Sequence, residues 1–372
     1  MTGARIETLT GVRGVAALWV LVHHLLRTFP VAGFFAGQTI PETPWSWALH
    51  AFRNFADKGW LGVDLFFVLS GFVISYVHRD EFSELRLERY SRFLVLRISR
   101  IYPAHLVTTL LLIPMSVIAW ATFEYRPQGT ALSLEKLAYS VLLLNGWGIP
   151  NSVGWNVPSW SVSSEWLAYL CFPVIAFVTC RIRSPRTSLV FAASIVLAVV
   201  LLSAHLNGPS KFMFDENLTV LRVLYEFVIG CLLFNISVGV RGRVTLDTMS
   251  TLSVLVIVIS AIARIPSRFD WLFIRAFSTL ILGLSTTQRS SFASRPMVYL
   301  GEISYSLYLV HSLVLSVIAL VAKRVFEHPH WTEVFASAVV AIVLSIGGGH
   351  MLYVLVERPW RRRLRARWVL TK

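Results

Sequence analysis

The chain has 372 residues, of which 55% are hydrophobic and only 15% charged, with a formal net charge of +14 at pH 7. A soluble chain carries nearer ~25% charged residues. With a mean hydropathy of +0.64 the composition therefore excludes a soluble globular protein and points to an all-α, polytopic membrane protein. The positive charge is spread over loops and a tail with no soluble basic domain, which excludes a binder of duplex nucleic acid.

Ten apolar runs are long enough to span a bilayer: about 8–29, 60–78, 103–123, 163–180, 187–206, 218–237, 248–264, 270–287, 299–322 and 333–356. The first is too long and too internally charged for a cleaved signal and is expected to stay as the first helix. It carries Arg13 and His24 within an apolar span, and titratable groups in lipid are costly and mark functional sites. Eleven residues at 100° each turn the helix ~20° past three full turns, so the two share a face, ~16 Å apart along the axis. His23 falls ~80° short of that face.

The second run places Asp64 near its start, and the third is preceded by Arg97 and Arg100, one helical turn apart. The stretch Leu134 to Gly146 is short for a crossing and is expected to lie at the interface. The loop after it holds Trp147, Trp155 and Trp160 with Asn145, Asn151 and Asn156. Aromatic faces beside amides suit a sugar, while Trp at a membrane surface also serves as an anchor. Glu165 follows Ser161, Ser163 and Ser164 at the head of the fourth run, where a serine could cap the helix. Arg222 and Glu226 are four apart in the sixth and are expected to neutralise each other. His311 sits mid-span in the ninth and is read as a packing residue.

Basic residues test the count. Arg79, Arg86, Arg89, Arg92, Arg97 and Arg100 share one loop; Arg181, Arg183 and Arg186 another; then come Arg241 and Arg243, Arg289 and Arg295, and the tail Arg358, Arg361, Arg362, Arg363, Arg365, Arg367 and Lys372. Ten spans put all of these on one side, and the positive-inside rule then places both termini in the cytoplasm. An eleventh span at 134–146 would break the pattern. Arg13, Arg97 and Arg100 then form a cationic inner entrance below His24, Asp64 and Glu165. Cys171, Cys180 and Cys231 have no paired spacing and are expected to pack as small apolar residues; no metal-ligand motif or Walker loop occurs.

Five blocks in order carry a family resemblance: "ETLTGVRGVAALWVLVHH" with its Arg-x10-His pair, "GVDLFFVLSGFVIS" from Gly62, "RISRIYPAHL" from Arg97, "PSWSVSSEWLAY" from Pro158 and "GEISYSLYLVH" from Gly301. The chain resembles membrane-bound acyltransferase family 3. That resemblance implies one integral-membrane acyltransferase domain over 1–372, with no soluble appended domain expected. It implies transfer of an acyl group, commonly acetyl from acetyl-CoA, onto a hydroxyl of a periplasmic or lipid-linked glycan, or of a small molecule such as a macrolide. The expected setting is a bacterial inner membrane, with acyl-CoA as donor substrate, no permanently bound cofactor or metal, and polysaccharide assembly machinery as a possible partner.

His24 matches the catalytic position, and a neutral imidazole can deprotonate an acceptor hydroxyl or itself attack the thioester. Arg13, Arg97 and Arg100 suit phosphate, which guanidinium forks bind bidentately; cytoplasmic loops also collect arginine for topology alone. Asp64 could orient His24 or be a packing acid near the interface. Glu165 is a candidate acid/base or acceptor ligand, and Trp155 and Trp160 are candidate acceptor contacts. Two other classes stay open. A secondary transporter would use buried charges in a relay, although no two-half repeat is visible. A non-catalytic component of a polysaccharide export complex would not need His24.

Overall fold

The structure, a computed structural model, describes residues 3–28, 44, 46–124, 132–207, 219–239, 245–287, 290–326 and 331–369. Arg241, Arg243, Arg289 and Lys372 of the basic pattern lie outside the described residues. The described chain is helical, with no strand. In order the helices are α1 (Gly3–Thr28), α2 (Ser46–Asp57), α3 (Gly62–His78), α4 (Leu87–Phe123), α5 (Leu134–Val141), α6 (Ser159–Thr179) and α7 (Pro185–Asn207). There follow α8 (Thr219–Gly239), α9 (Thr245–Ile262), α10 (Trp271–Leu284), α11 (Arg295–Val325), α12 (Trp331–Leu352) and α13 (Arg358–Val369).

Among the described residues eight helical stretches are long and apolar enough to cross a membrane, and α9 contributes a shorter apolar helix, Thr248–Ile262. The chain is thus an all-α, multi-pass membrane protein. The expected spans at 248–264 and 270–287 correspond to the shorter helices α9 and α10. Leu134–Val141 makes a helix of only 8 residues, about 12 Å of rise, which cannot cross ~30 Å of hydrocarbon.

Two differences have local causes. The third span begins sixteen residues before its expected start, because α4 runs unbroken through Pro103. Proline removes one i→i−4 bond and crowds the preceding turn, and that turn is braced by Tyr305, whose hydroxyl donates to the Ile101 carbonyl at 2.6 Å. After α12 the last turn widens into a π-helical turn at Tyr353–Glu357, which turns Glu357 inward. Glu357 is 1% exposed, accepts from the Ser306 hydroxyl at 2.8 Å and faces Arg361 Nη1 at 3.4 Å.

The chain divides into two compact units. The first comprises Met1–Ala16, Trp60–Ser91 and Leu167–Glu302. Within it α3 lies against α8, α7 and α10 also pack on α8, and α9 packs on α10. Glycine sets the α3–α8 approach: a Cβ on Gly71 would stand 2.0 Å from the Phe227 carbonyl oxygen, and one on Gly230 2.0 Å from that of Val68. Small residues that let backbones touch are the usual device for joining helices in lipid. Gly230→Ala is expected to cost about 1–3 kcal/mol, the range for overpacking a fitted core, read as a lower unfolding midpoint in detergent; an unchanged midpoint refutes the contact.

Beside this seam lies a buried charge cluster. Asp64, in the first turn of α3, pairs directly with Arg222 of α8, whose Nε lies 3.6 Å from Glu226. The guanidinium also sits 4.8 Å from the centre of the Trp60 ring. The expected Arg222–Glu226 pair is therefore one side of a three-residue cluster. The three cysteines are free thiols, Cys231 being buried.

The second unit comprises Ala17–Gly59, Arg92–Trp166 and Ile303–Lys372. Gly59 docks the α2 end onto α1, since a Cβ there would meet the Trp19 carbonyl at 2.4 Å and His23 Cβ at 2.8 Å. Trp19 completes the joint, stacking on Phe55 with centroids 5.0 Å apart and donating its indole N–H to the Phe55 carbonyl at 2.8 Å.

Candidate active site

The second unit holds His24, Arg97, Arg100, Trp155, Trp160 and Glu165; Arg13 and Asp64 belong to the first. α1 is one continuous helix from Gly3 to Thr28, so the eleven-residue register between Arg13 and His24 is helical throughout.

The joint at Gly59 uses one face of α1. His23 is 5% exposed and its Nδ1 lies 3.2 Å from the Ala56 carbonyl. His24, the next residue and ~100° around the helix, faces elsewhere and is half-buried. Its Nδ1 lies 3.0 Å from the Val20 carbonyl oxygen. A carbonyl can only accept, so Nδ1 carries the proton and the neutral ring presents a lone pair on Nε2. That is the tautomer a general base requires.

His24 is not alone. The ring of His311, on α11, lies 4.9 Å from it centre to centre, tilted by 59°. His311 is 1% exposed. Its Nδ1–H donates to the Tyr308 carbonyl at 2.6 Å, and its buried Nε2 has no hydrogen-bond partner. A buried polar atom without a partner costs free energy, roughly 1–3 kcal/mol, and such atoms in a folded protein call for an explanation. The sequence alone reads His311 as packing, yet the signal at His24, a titratable ring inside an apolar span, is equally present at His311.

Around this pair a polar knot fixes the loop before α6. Asn156 donates to Thr108 Oγ1 and to the Leu309 carbonyl, both at 3.1 Å, and accepts from Ser312 Oγ at 3.0 Å. One turn further along α11 from Tyr305, the Tyr308 hydroxyl lies 2.8 Å from Ser161 Oγ and donates to the Pro158 carbonyl at 3.0 Å. The serines of α6 staple this loop instead of capping the helix. Ser163 Oγ donates to the Leu143 carbonyl at 2.6 Å and accepts from the Gly146 N–H at 3.0 Å, while Ser164 Oγ donates to the Gly146 carbonyl at 2.6 Å. The loop contains two non-glycine residues in the left-handed region, Leu143 (φ 55°) and Asn151 (φ 58°). Such strain persists only where surrounding contacts enforce it, and it gathers at functional sites.

The remaining candidates occupy distinct settings. Glu165 is half-buried on α6 and interacts electrostatically with Tyr308. Trp155 is 8% exposed, with its indole N–H donated to the Ser133 carbonyl at 2.9 Å; Trp160 is half-buried. Arg97 is 8% exposed and its guanidinium lies 5.7 Å from the centre of the Phe93 ring. Arg100 and Arg13 are half-buried. Asp64 has Arg222 as its ion-pair partner. Among the described residues no group of three or more His, Cys, Asp or Glu could hold a metal ion.

The helices define a multi-pass membrane protein, and within one unit they bring two histidines together. The sequence matches the family described as "Acyltransferase domain" over residues 6–350, and the chain belongs to that family. It is 28% identical to "Acyltransferase MdmB" of Streptomyces mycarofaciens, over 97% of this chain and 92% of the relative. It is 23% identical to "Putative O-acetyltransferase SACOL0978" of Staphylococcus aureus (strain COL), over 96% of this chain and 57% of that protein. It is 24% identical to "O-acetyltransferase OatA" of Staphylococcus aureus (strain NCTC 8325 / PS 47), over 84% of this chain and 54% of that protein. The chain thus spans just over half the length of these staphylococcal relatives. No solved structure matches it.

Proposed function

We propose that the chain is an O-acyltransferase of a bacterial inner membrane, taking an acyl group, acetyl in the first instance, from cytoplasmic acyl-CoA to a hydroxyl of a periplasmic or lipid-linked glycan. The observation that carries this reading is the His24 imidazole, held by the Val20 carbonyl in the tautomer that leaves Nε2 free to take a proton. The names of the staphylococcal relatives support O-acetyl transfer as the reaction. Arg97 and Arg100 are assigned to the phosphates of the donor, with Arg13 as the arginine in register with His24 on α1. Glu165 is assigned to the acceptor hydroxyl and Trp160 to the acceptor's ring face.

In the reaction, the acceptor oxygen attacks the thioester carbonyl as His24 Nε2 removes its proton. When the C–S bond breaks, the sulfur keeps the electron pair and takes that proton, leaving the ester and the CoA thiol. Purified protein in detergent, given acetyl-CoA with either a bacterial membrane extract or a macrolide, is expected to release free thiol and yield an acetylated product detectable by mass spectrometry. Product from the extract supports the glycan class, and product from the macrolide alone transfers the assignment to small molecules. Solute flux into sealed vesicles without thiol release would make the chain a transporter and defeat the proposal.

A further inference from the structure

His24 and His311 present the same chemistry to each other. Each donates its Nδ1–H to a backbone carbonyl three or four residues earlier on its own helix, Val20 for one and Tyr308 for the other. Each therefore carries its lone pair on Nε2. The ring centres are 4.9 Å apart, a separation at which two imidazole nitrogens turned toward each other meet at hydrogen-bond distance once one of them holds a second proton. In the resting state neither Nε2 has a hydrogen to offer the other, which accounts for the buried, unpartnered Nε2 of His311. His23, edge-on to His24 at 5.3 Å, has its own Nδ1 at the Ala56 carbonyl.

We propose that His311 is the positioning residue of the catalytic base: its Nε2 accepts the Nε2–H that His24 gains on deprotonating the acceptor hydroxyl. The inference rests on His24 being that base. The resting pair lacks one hydrogen bond, and proton transfer supplies it, so the contact forms only as positive charge develops on His24. An interaction stronger at the transition state than before it raises kcat and leaves substrate binding alone. In the low dielectric of a membrane interior it also spares the imidazolium from standing unpaired. No group beyond donor, acceptor and the two rings is required. The proton moves from acceptor oxygen to His24 Nε2, is shared with His311 Nε2, and leaves on the CoA sulfur.

The test uses His311→Leu, which removes the acceptor, and His311→Gln, whose amide oxygen can stand where Nε2 stood. Both are assayed as thiol release from acetyl-CoA with membrane extract. A hydrogen bond to a charged group contributes about 1.5–3 kcal/mol, so His311→Leu is expected to lower kcat by about 10- to 100-fold with KM for acetyl-CoA unchanged. His311→Gln is expected to recover most of that loss. Equal activity of the two variants, or a loss confined to KM, would overturn the proposal.

A second measurement does not depend on acyl transfer. Wild-type protein labelled with 15N-histidine in lipid bilayers is examined by solid-state NMR while the pH is lowered until His24 takes up a proton. A 15N–15N coupling across the hydrogen bond between the two Nε2 nuclei is expected, retained in His23→Gln and lost in His311→Gln. Absence of that coupling in the wild type refutes the pairing. Coupling without any thiol release leaves the pair intact and removes the acyltransferase reading instead.

Discussion

Replacing His24 by alanine is expected to lower the rate of acyl transfer by about 10²–10⁴-fold, the contribution of a positioned general base, while the protein folds and inserts as before. The side chain is half-buried and its Nδ1–H donates within its own helix, to the Val20 carbonyl. Alanine favours the helix and leaves that carbonyl still engaged in the backbone ladder. The two observables should therefore separate: thiol release from acetyl-CoA collapses, and the thermal midpoint in detergent stays within a degree or two of wild type, as expected for a change of well under ~1 kcal/mol. A variant retaining a tenth or more of the wild-type rate would remove His24 from the chemistry. Incubating wild type with acetyl-CoA in the absence of acceptor separates the two roles open to the ring, since only a nucleophilic His24 gains an acetyl mass on its peptide.

The opposite separation is expected for Arg222. This guanidinium is paired with Asp64 and lies 3.6 Å from Glu226, with all three side chains buried in the α3–α8 seam. Removing one member of a buried ionic group strands the charge of the others, at a cost of about 3–5 kcal/mol. Arg222→Leu should thus fold poorly and lose its sharp thermal transition. Replacing all three with leucine should regain much of the stability, because apolar residues of similar volume substitute well for a buried ion group. An Arg222→Leu protein as stable as wild type would show that the cluster is solvated and contributes nothing. Any activity loss in the triple variant, after stability is restored, would then report on the cluster's part in function rather than in folding.

The helical, many-spanned character was legible because lipid imposes it residue by residue: runs of ~20 apolar residues admit few other structures. α3, α6, α7, α8 and α11 begin and end close to the expected limits for that reason. The start of α4 was not legible, because Pro103 is an ordinary helix-stop signal and the bond that braces its turn comes from Tyr305, more than two hundred residues away in sequence. The short helix α2 was hidden likewise. Its place on α1 depends on a glycine with room for no side chain, which sequence alone does not distinguish from a flexible one.

Of the candidate residues, His24 stands out in the sequence because a titratable ring in an apolar span is rare. His311 was equally visible, but its partner was not, since the value of one histidine depends on where another helix brings the second. The serines before Glu165 resembled capping residues at a helix start. Their hydroxyls instead reach residues 143 and 146, a tertiary arrangement that local spacing does not encode. Asp64 and Arg222 sit more than one hundred and fifty positions apart, and neither reads as the partner of the other until α3 and α8 touch at Gly71 and Gly230.

The loop fastened by Ser163 and Ser164, with Leu143 and Asn151 already in left-handed conformations, has an energetic consequence for whatever binds beside it. A segment whose shape is fixed by its own protein loses little conformational freedom when a guest arrives. Ordering a comparable slack loop would take roughly 0.5–1.5 kcal/mol for each immobilised side chain. With the acceptor bound beside this loop as proposed, its recognition would be governed by shape and hydrogen-bond complementarity rather than by induced ordering.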